Sequence, residues 1–488
     1  MEVYHKMEFV LNGYQPADVL RYFEQLCAIP HGSYNEAGAA DFLCAFAEEH
    51  NLAYRRDDMH NVLIRKPATE GYENEPVVML QGHTDMVCVK RADKVHDFTR
   101  DPLTLIVEDG WLRADGTTLG GDDGIAVAMM MAVLADDSLA HPELECLFTV
   151  QEEVGLGGAG GFDYSDIKAK LLYNLDSEED GVCTVSCAGG VRADMHRPVT
   201  YETLDAMTAE IRVSGLKGGH SGAEIHMPRG NAHRIVGHML AAVQAIAPIR
   251  IVSLAGGNMD NAIPRDCTAV IAYHADCADA VKTALDTLCA EQMSVLSRDD
   301  RAEGKICASY DSGTVRAMTV EDTRAILGIL NLTPNGIVTM CEDMPELVES
   351  SCNMGILRTE EDAVKIGFLA RASVEIRKEE IRTKLALCAG MFGAEISYSG
   401  EYPGWAYDRD SVATKRYVAV YERLWGKSPR VEAIHAGLEC GLMKHAVPDL
   451  DPISIGPDMR DIHTPEERIE LDSIRRVYET VCAMLAEK

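Results

Sequence analysis

Residues 77–85 read VVMLQGHTD: four apolar side chains in a row, then a polar cluster holding an imidazole and a carboxylate. A short continuous apolar run ended by polar residues is the pattern of a strand buried on both faces. The same form recurs at 144–153 (LECLFTVQEE) and at 171–176 (LLYNLD), and each run again leads directly into carboxylates. Between the first two lies GDDGIAVAMMMAVLA at 121–135, whose apolar part, 125–134, reads as a helix. Residues 17–29 and 36–50 space their apolar side chains by three and four, as amphipathic helices do. Strands alternating with helices predict the α/β class: a three-layer domain with a mostly parallel central sheet.

After about residue 195 the pattern changes. Residues 206–213 (AMTAEIRV) alternate like a half-exposed strand, 230–246 reads as a helix, and 267–273, 336–341 and 366–377 read as strands. From about 400 the α/β style returns, with helices near 411–424 and 469–486 and a short strand at 452–455. The order predicts one domain in two parts, 1–195 and 400–488, with an α+β domain inserted at 196–399.

Of the 488 residues, 47% are hydrophobic and 25% charged, and 78 acidic side chains against 46 basic ones give a net charge of −32. Such a surface repels nucleic acid and anionic membranes, so neither is expected as a partner. Residues 1–19 hold no basic segment followed by an apolar core, so no signal peptide is expected. The apolar stretch 125–135 is far shorter than the roughly 20 residues that span a bilayer. Fifteen cysteines without paired spacing fit reduced thiols. The expectation is a soluble, cytoplasmic protein.

Five segments carry metal-type ligands: His83 and Asp85 in QGHTDMV, Asp122 and Asp123 in LGGDDGIA, Glu152 and Glu153 in TVQEEVG, Asp176 in YNLDSEE, and His463 in DIHTPEER. Singly, each has an ordinary explanation. A His-x-Asp pair can be a structural hydrogen bond, vicinal acids can be a solvated surface, and Asp122–Asp123 can cap a helix. The shared placement outweighs these, because four of the five follow or border a strand end, the rim where open α/β sheets assemble ligands. Imidazole and carboxylate suit zinc. Three ligands per ion with one shared would divide His83, Asp122, Glu153, Asp176 and His463 into two sites, and an aspartate such as Asp122 offers one oxygen to each ion. Glu152 is then left to act as general base, and Asp85 to hold the second ring nitrogen of His83.

These segments resemble the metallopeptidase family that contains the aminoacylases, bacterial tripeptidases and carnosinases, and most of all its dipeptidase branch. The likeness extends to GGHSGAEIHMPRGNAHR at 218–234, NAIPR at 261–265, YPGW at 402–405 and HAGLECGL at 435–442. It implies zinc-dependent hydrolysis of dipeptides, Xaa-His dipeptides such as β-alanyl-histidine foremost, by metal-activated water. It implies two Zn2+ per chain, replaceable by Co2+ or Mn2+: His83, Asp122 and Asp176 for one, Asp122, Glu153 and His463 for the other. Asp85 and Glu152 match the family's catalytic acids, and Asp122–Asp123 matches a common cis peptide. His220 matches the histidine of a lid domain that stabilises the oxyanion, and Asn261, Arg371 and Gly437 match substrate-binding positions. A homodimer formed through the inserted domain is also implied. Two positions depart from the pattern: Asp123, where Asn is frequent, adds charge near the metals, and Arg460 replaces a smaller residue.

Related activities of the same family, tripeptide cleavage or N-acyl amino acid deacylation, and metal-bearing peptide binding without catalysis are the alternatives. Residues 155–160, GLGGAG, also satisfy G-x-G-x-x-G after a strand, a weak dinucleotide signal with two glutamates just ahead of it.

Overall fold

The computed structural model describes residues 9–488; the first eight residues of the N-terminal stretch lie outside it. The described chain divides into two compact units, 9–187 with 405–433 and 438–488, and 188–404 with 434–437. The expected switch points at 195/196 and 399/400 therefore move to 187/188 and 404/405. The reason is pairing: Gly189–Pro198 and Glu395–Tyr402 are neighbours in the sheet of the second unit.

The first unit holds an eight-stranded mixed sheet in the order Ala53–Arg56, Val62–Lys66, Leu144–Thr149, Val78–His83, Leu171–Asn174, Asp451–Ser454, Val182–Cys187, Arg430–Ile434. The expected parallel pairing is concentrated at its centre. Val78–His83 runs parallel to both Leu144–Thr149 and Leu171–Asn174, and the latter parallel to Asp451–Ser454. The pairings recorded outside these four strands are antiparallel. All six residues of Val78–His83 and of Leu144–Thr149 are buried. Because successive side chains point to opposite faces, both faces must be covered. The helix Gly121–Ala135 packs on Val78–His83 beneath the helices Ala17–Cys27 and Leu471–Ala486. It is buried all round from Gly124 to Leu134, which explains why it lacks a polar stripe.

Register fixes where the central strands end. His83 pairs with Thr149, Gln81 with Asn174, and Asn174 with Ser454, so the four parallel strands deliver their carboxyl ends to one rim. A second, four-stranded sheet of this unit contains the hairpin Met459–Arg460 and Arg468–Glu470, and His463 stands in its loop. No helix among the described residues is long and apolar enough to cross a membrane.

The second unit is α+β. Its nine-stranded sheet follows the order Lys305–Met318, Tyr201–Ser214, Cys267–Tyr273, Ile249–Asn258, Val348–Thr359, Ala363–Ala372, Gly189–Pro198, Glu395–Tyr402, with Gly336–Met340 also paired to Val348–Thr359. One core lies between that sheet and helices including Ala232–Ile246, Val320–Leu332 and Glu375–Met391. The predicted strand 366–377 ends at Ala372, and a helix begins at Glu375. Ion pairs Lys378–Glu375 at 3.1 Å and Arg382–Glu379 at 2.9 Å, three residues apart, suit the helix and outweigh the β-branched Val374 and Ile376.

Candidate metal centre

In the first unit, the rim of the sheet and the hairpin loop bring the five expected ligands together around Asp122. The Oδ1 atom of Asp122 lies 3.1 Å from His83 Nε2, and its Oδ2 lies 3.2 Å from His463 Nε2. His83 Nε2 is also 3.5 Å from Asp176 Oδ1, and His463 Nε2 is 2.9 Å from Glu153 Oε1. Two clusters thus share one aspartate, each with one imidazole and one further carboxylate. Ligand atoms of His83, Asp122 and Glu153 fall within 4.8 Å of one another, as do those of His83, Asp123 and Asp176. That spacing approaches twice a metal–ligand bond of about 2.0–2.2 Å.

Asp122 and Asp123 depart from helical backbone angles inside Gly121–Ala135, and a cis peptide bond joins them. The fully buried Asp123 carboxylate accepts the His83 N–H through Oδ2 at 3.2 Å, while its Oδ1 has no partner. A Cβ at Gly82 would stand 2.6 Å from that Oδ2, so the glycine of QGH is what admits Asp123. Burial, with Asp176 and Asp122 adding to it, holds the Asp123 carboxyl well above the usual range. Arg460, the other departure, is half exposed and donates to the carbonyl of Met459.

The charge balance fits a cation. Burial pushes Glu152 up to about 9, with Asp176, Glu439 and Glu153 adding to it, and pushes Asp176 up to about 7. Hydrogen bonds to Asp122 and Glu153 push His463 up to about 10. Burial pulls His83 down, yet Asp176, Asp122 and Asp85 hold it well above its ordinary value. Crowded buried carboxylates that draw protons onto themselves and onto two imidazoles are relieved by a divalent ion, and nitrogen with carboxylate oxygen is a donor set for zinc. The residues present fit a metal pair.

Supporting contacts hold these groups in place. His83 Nδ1 donates to the backbone carbonyl of Asp85 at 2.9 Å, whereas the Asp85 carboxylate stands 3.5 Å away. The expected partner is thus the main chain of Asp85. Its carboxylate instead accepts the N–H of Glu152 at 3.0 Å, that of Glu153 at 3.4 Å and the Ser33 hydroxyl at 2.8 Å. It pins the turn that presents the two glutamates. Gln151 in that turn and His463 in the hairpin loop both have positive φ, 55° and 60°, conformations that cost non-glycine residues about 1–3 kcal/mol and gather at functional sites.

Two further acids, Glu439 and Glu467, also belong here. Buried Glu439 accepts from Gln81 Nε2 at 2.5 Å and Thr149 Oγ at 2.8 Å, behind the His83 strand. Buried Glu467 accepts from the main chain of 119–122. Both lie inside quoted motifs, HAGLECGL and DIHTPEER, but only tertiary structure shows what they touch.

The GLGGAG stretch does not form a phosphate cradle. It yields a five-residue helix, Gly157–Gly161, and the N–H groups of 155–158 are taken by carbonyls of Glu152, Gln151 and Val150.

In the second unit, His220 and Arg371 come together, with Arg371 Nη2 3.4 Å from His220 Nε2. Arg371 Nη1 donates to the Tyr402 hydroxyl at 2.9 Å, and its buried Nε has no partner. Gly437 lies against the same ring, where a Cβ would stand 2.8 Å from Tyr402 Cε2. Asn261 immediately precedes Ala262–Ile263, the two-residue strand paired with Gly219–His220, and its carbonyl accepts the N–H of Ser221. The Ala223 N–H donates to His220 Nδ1 at 3.0 Å. Burial and the Arg371 charge hold that ring below its ordinary pKa.

Residues 79–487 match the family model described as Peptidase family M20/M25/M40. The chain belongs to this family. The M20 chain is 36% identical over 479 residues, 98% of its length and 99% of the relative's, to the cytosol non-specific dipeptidase of Escherichia coli K12. Its fold superimposes on the aminoacylhistidine dipeptidase of Vibrio alginolyticus with a TM-score of 0.93, at 34% identity and 99% coverage of both chains. The aminopeptidase PepT of Bacillus cereus, at 16% identity and a TM-score of 0.57 over 97% of this chain and 98% of its own, shares the fold alone. As a member of this family the protein is a metallopeptidase hydrolase.

Proposed function

We propose that this M20 peptidase hydrolyses dipeptides, Xaa-His dipeptides among them, at a two-zinc centre held by His83, Asp122 and Asp176 and by Asp122, Glu153 and His463. The observation that carries the reading is the carboxylate of Asp122, whose two oxygens reach toward two different imidazoles. When bound, the ions acidify a water and polarise the scissile carbonyl. Glu152, outside both clusters, takes the proton from the attacking water and returns it to the leaving amine. Asp85 is a positioning residue, since its carboxylate binds the turn of the glutamates. His220, held at Nδ1 by the Ala223 N–H, stabilises the developing oxyanion. Arg371, steadied by Tyr402, takes the substrate's terminal carboxylate, with Asn261 and Gly437 as its neighbours in substrate binding.

Dipeptides are favoured because the two full-length relatives are a non-specific dipeptidase and an aminoacylhistidine dipeptidase. Histidine thus falls within the substrate range and need not limit it. The fifteen unpaired thiols fit a reducing cytosol, the location named for the Escherichia coli relative.

The test is a panel of Xaa-His, other dipeptides, a tripeptide and N-acyl amino acids, assayed after chelation and again after zinc, cobalt or manganese is returned. Metal-restored cleavage confined to dipeptides is expected. Cleavage of only the tripeptide or acyl substrates would move the activity to another M20 reaction, and no cleavage with metals bound would leave peptide binding alone. Arg371→Ala is expected to raise KM for dipeptides about 10- to 150-fold, the loss of one charged hydrogen-bonded contact of roughly 1.5–3 kcal/mol. A dipeptide amide should feel the substitution far less, and an equal effect on both would remove the carboxylate from Arg371.

A further inference from the structure

The hairpin loop that carries His463 also carries Glu467, which the proposed chemistry does not use. Its side chain is 3% exposed. Oε2 accepts the N–H groups of Leu119 at 2.8 Å and Gly120 at 3.2 Å, and Oε1 those of Gly121 at 2.8 Å and Asp122 at 3.4 Å. Four successive amides at the start of the helix Gly121–Ala135 converge on one carboxylate from a remote loop. The first N–H groups of a helix have no partner within it, and its dipole favours a negative group there. The local sequence LGGDD supplies no cap of its own, since the N-cap residue is Gly120, at φ 65°. At its other end Glu467 is set by its loop, where its N–H donates to the Thr464 carbonyl and Arg468 pairs with Asp461 at 2.9 Å.

Glu467 thus ties two ligand-bearing segments together. The last amide it holds is that of Asp122, and His463 stands four residues before it on the same loop. We propose that Glu467 is a positioning residue of the metal centre: it sets Asp122 against His463 and so governs occupancy of the cluster formed by Asp122, Glu153 and His463. The His83–Asp122–Asp176 cluster, built on the sheet rim, depends on it less. The inference rests on the two-metal reading above. A glutamine at 467 keeps the shape but aims an amide N–H2 at two backbone donors, so half of the clamp fails.

The experiment is a zinc titration of the demetallated full chain by calorimetry with a competing chelator, alongside melting curves. The unaltered protein is expected to take up two ions. Glu467→Gln is expected to bind one ion with nearly unaltered affinity and the second about 10- to 100-fold more weakly, with kcat recovering as zinc is raised and KM little changed. Gly121→Ala, whose Cβ would stand 3.3 Å from Glu467 Oε1, crowds the same oxygen and should weaken the same step to a smaller degree. It decides the matter if Glu467→Gln does not fold. Glu466→Gln, at an exposed side chain paired with Arg91, should leave both steps unchanged. Two ions bound with unaltered affinities in both Glu467→Gln and Gly121→Ala would overturn this role alone. So would equal weakening of both steps together with a lowered melting temperature, the mark of a merely structural residue. Fewer than two ions in the unaltered protein would overturn the two-metal reading itself, and this inference with it.

Discussion

Glu152→Gln is expected to lower kcat by about 10²- to 10⁴-fold, the usual contribution of a general base, while KM and metal content stay near their unaltered values. Glutamine fills the same volume but cannot accept the proton. Glu152 is outside both ligand clusters, so its loss should cost no ion. Its environment suits a base that both takes and returns a proton. Burial pushes the carboxyl up to about 9, and the charges of Asp176, Glu439 and Glu153 add to this. Bound cations act in the opposite direction and bring such a group back toward neutrality. Glu153→Gln provides the contrast, because Glu153 Oε1 is 2.9 Å from His463 Nε2 and its loss should lower metal content. The pair of assays therefore separates two adjacent residues of identical chemistry. If Glu152→Gln lost metal while Glu153→Gln kept it, the two roles would have to be exchanged. Near-normal kcat in Glu152→Gln would remove the general base from this position.

The α/β fold and the convergence at the rim were legible because buried strands announce themselves as apolar runs. VVML, LECLFTV and LLYNL each end where an acid or a histidine begins, so sequence alone predicts neighbouring strand ends. The second unit was harder to read. Val320–Leu332 does carry a usable start signal: Thr319 caps it by accepting the N–H of Asp322 at 3.1 Å, a spacing visible in TVED. Lys305–Met318 is mostly exposed or half-exposed along its length, so no clean alternation marks it. At the centre, residue types revealed which groups could bind a metal but not how they are supported. That the carbonyl of Asp85, and not its carboxylate, takes the His83 ring proton depends on the path of the main chain. The grip of Glu467 on residues 119–122 joins segments about 345 positions apart, and no local pattern encodes such a contact.

Asp122→Ala is expected to remove more than any other single ligand change: both ions lost or severely weakened, and activity down by about 10⁴-fold or more, corresponding to several kcal/mol of barrier. The argument is one of geometry. Asp176 lies near His83 and Glu153 near His463, so replacing either should impair one cluster. Asp122 faces both imidazoles, at 3.1 and 3.2 Å, and belongs to both clusters. Those same imidazoles hold its carboxyl well below the usual range despite its burial. Asp123 offers no replacement, because its Oδ2 is committed to the His83 N–H. Zinc content and kcat/KM should therefore fall in the order Asp122→Ala, then Asp176→Ala and Glu153→Ala, with the last two retaining one ion each. A helix-content and melting check on Asp122→Ala keeps loss of metal distinct from loss of fold. One retained ion in Asp122→Ala, with activity no worse than in Asp176→Ala, would show that the clusters do not share this aspartate and that the centre is two separate sites.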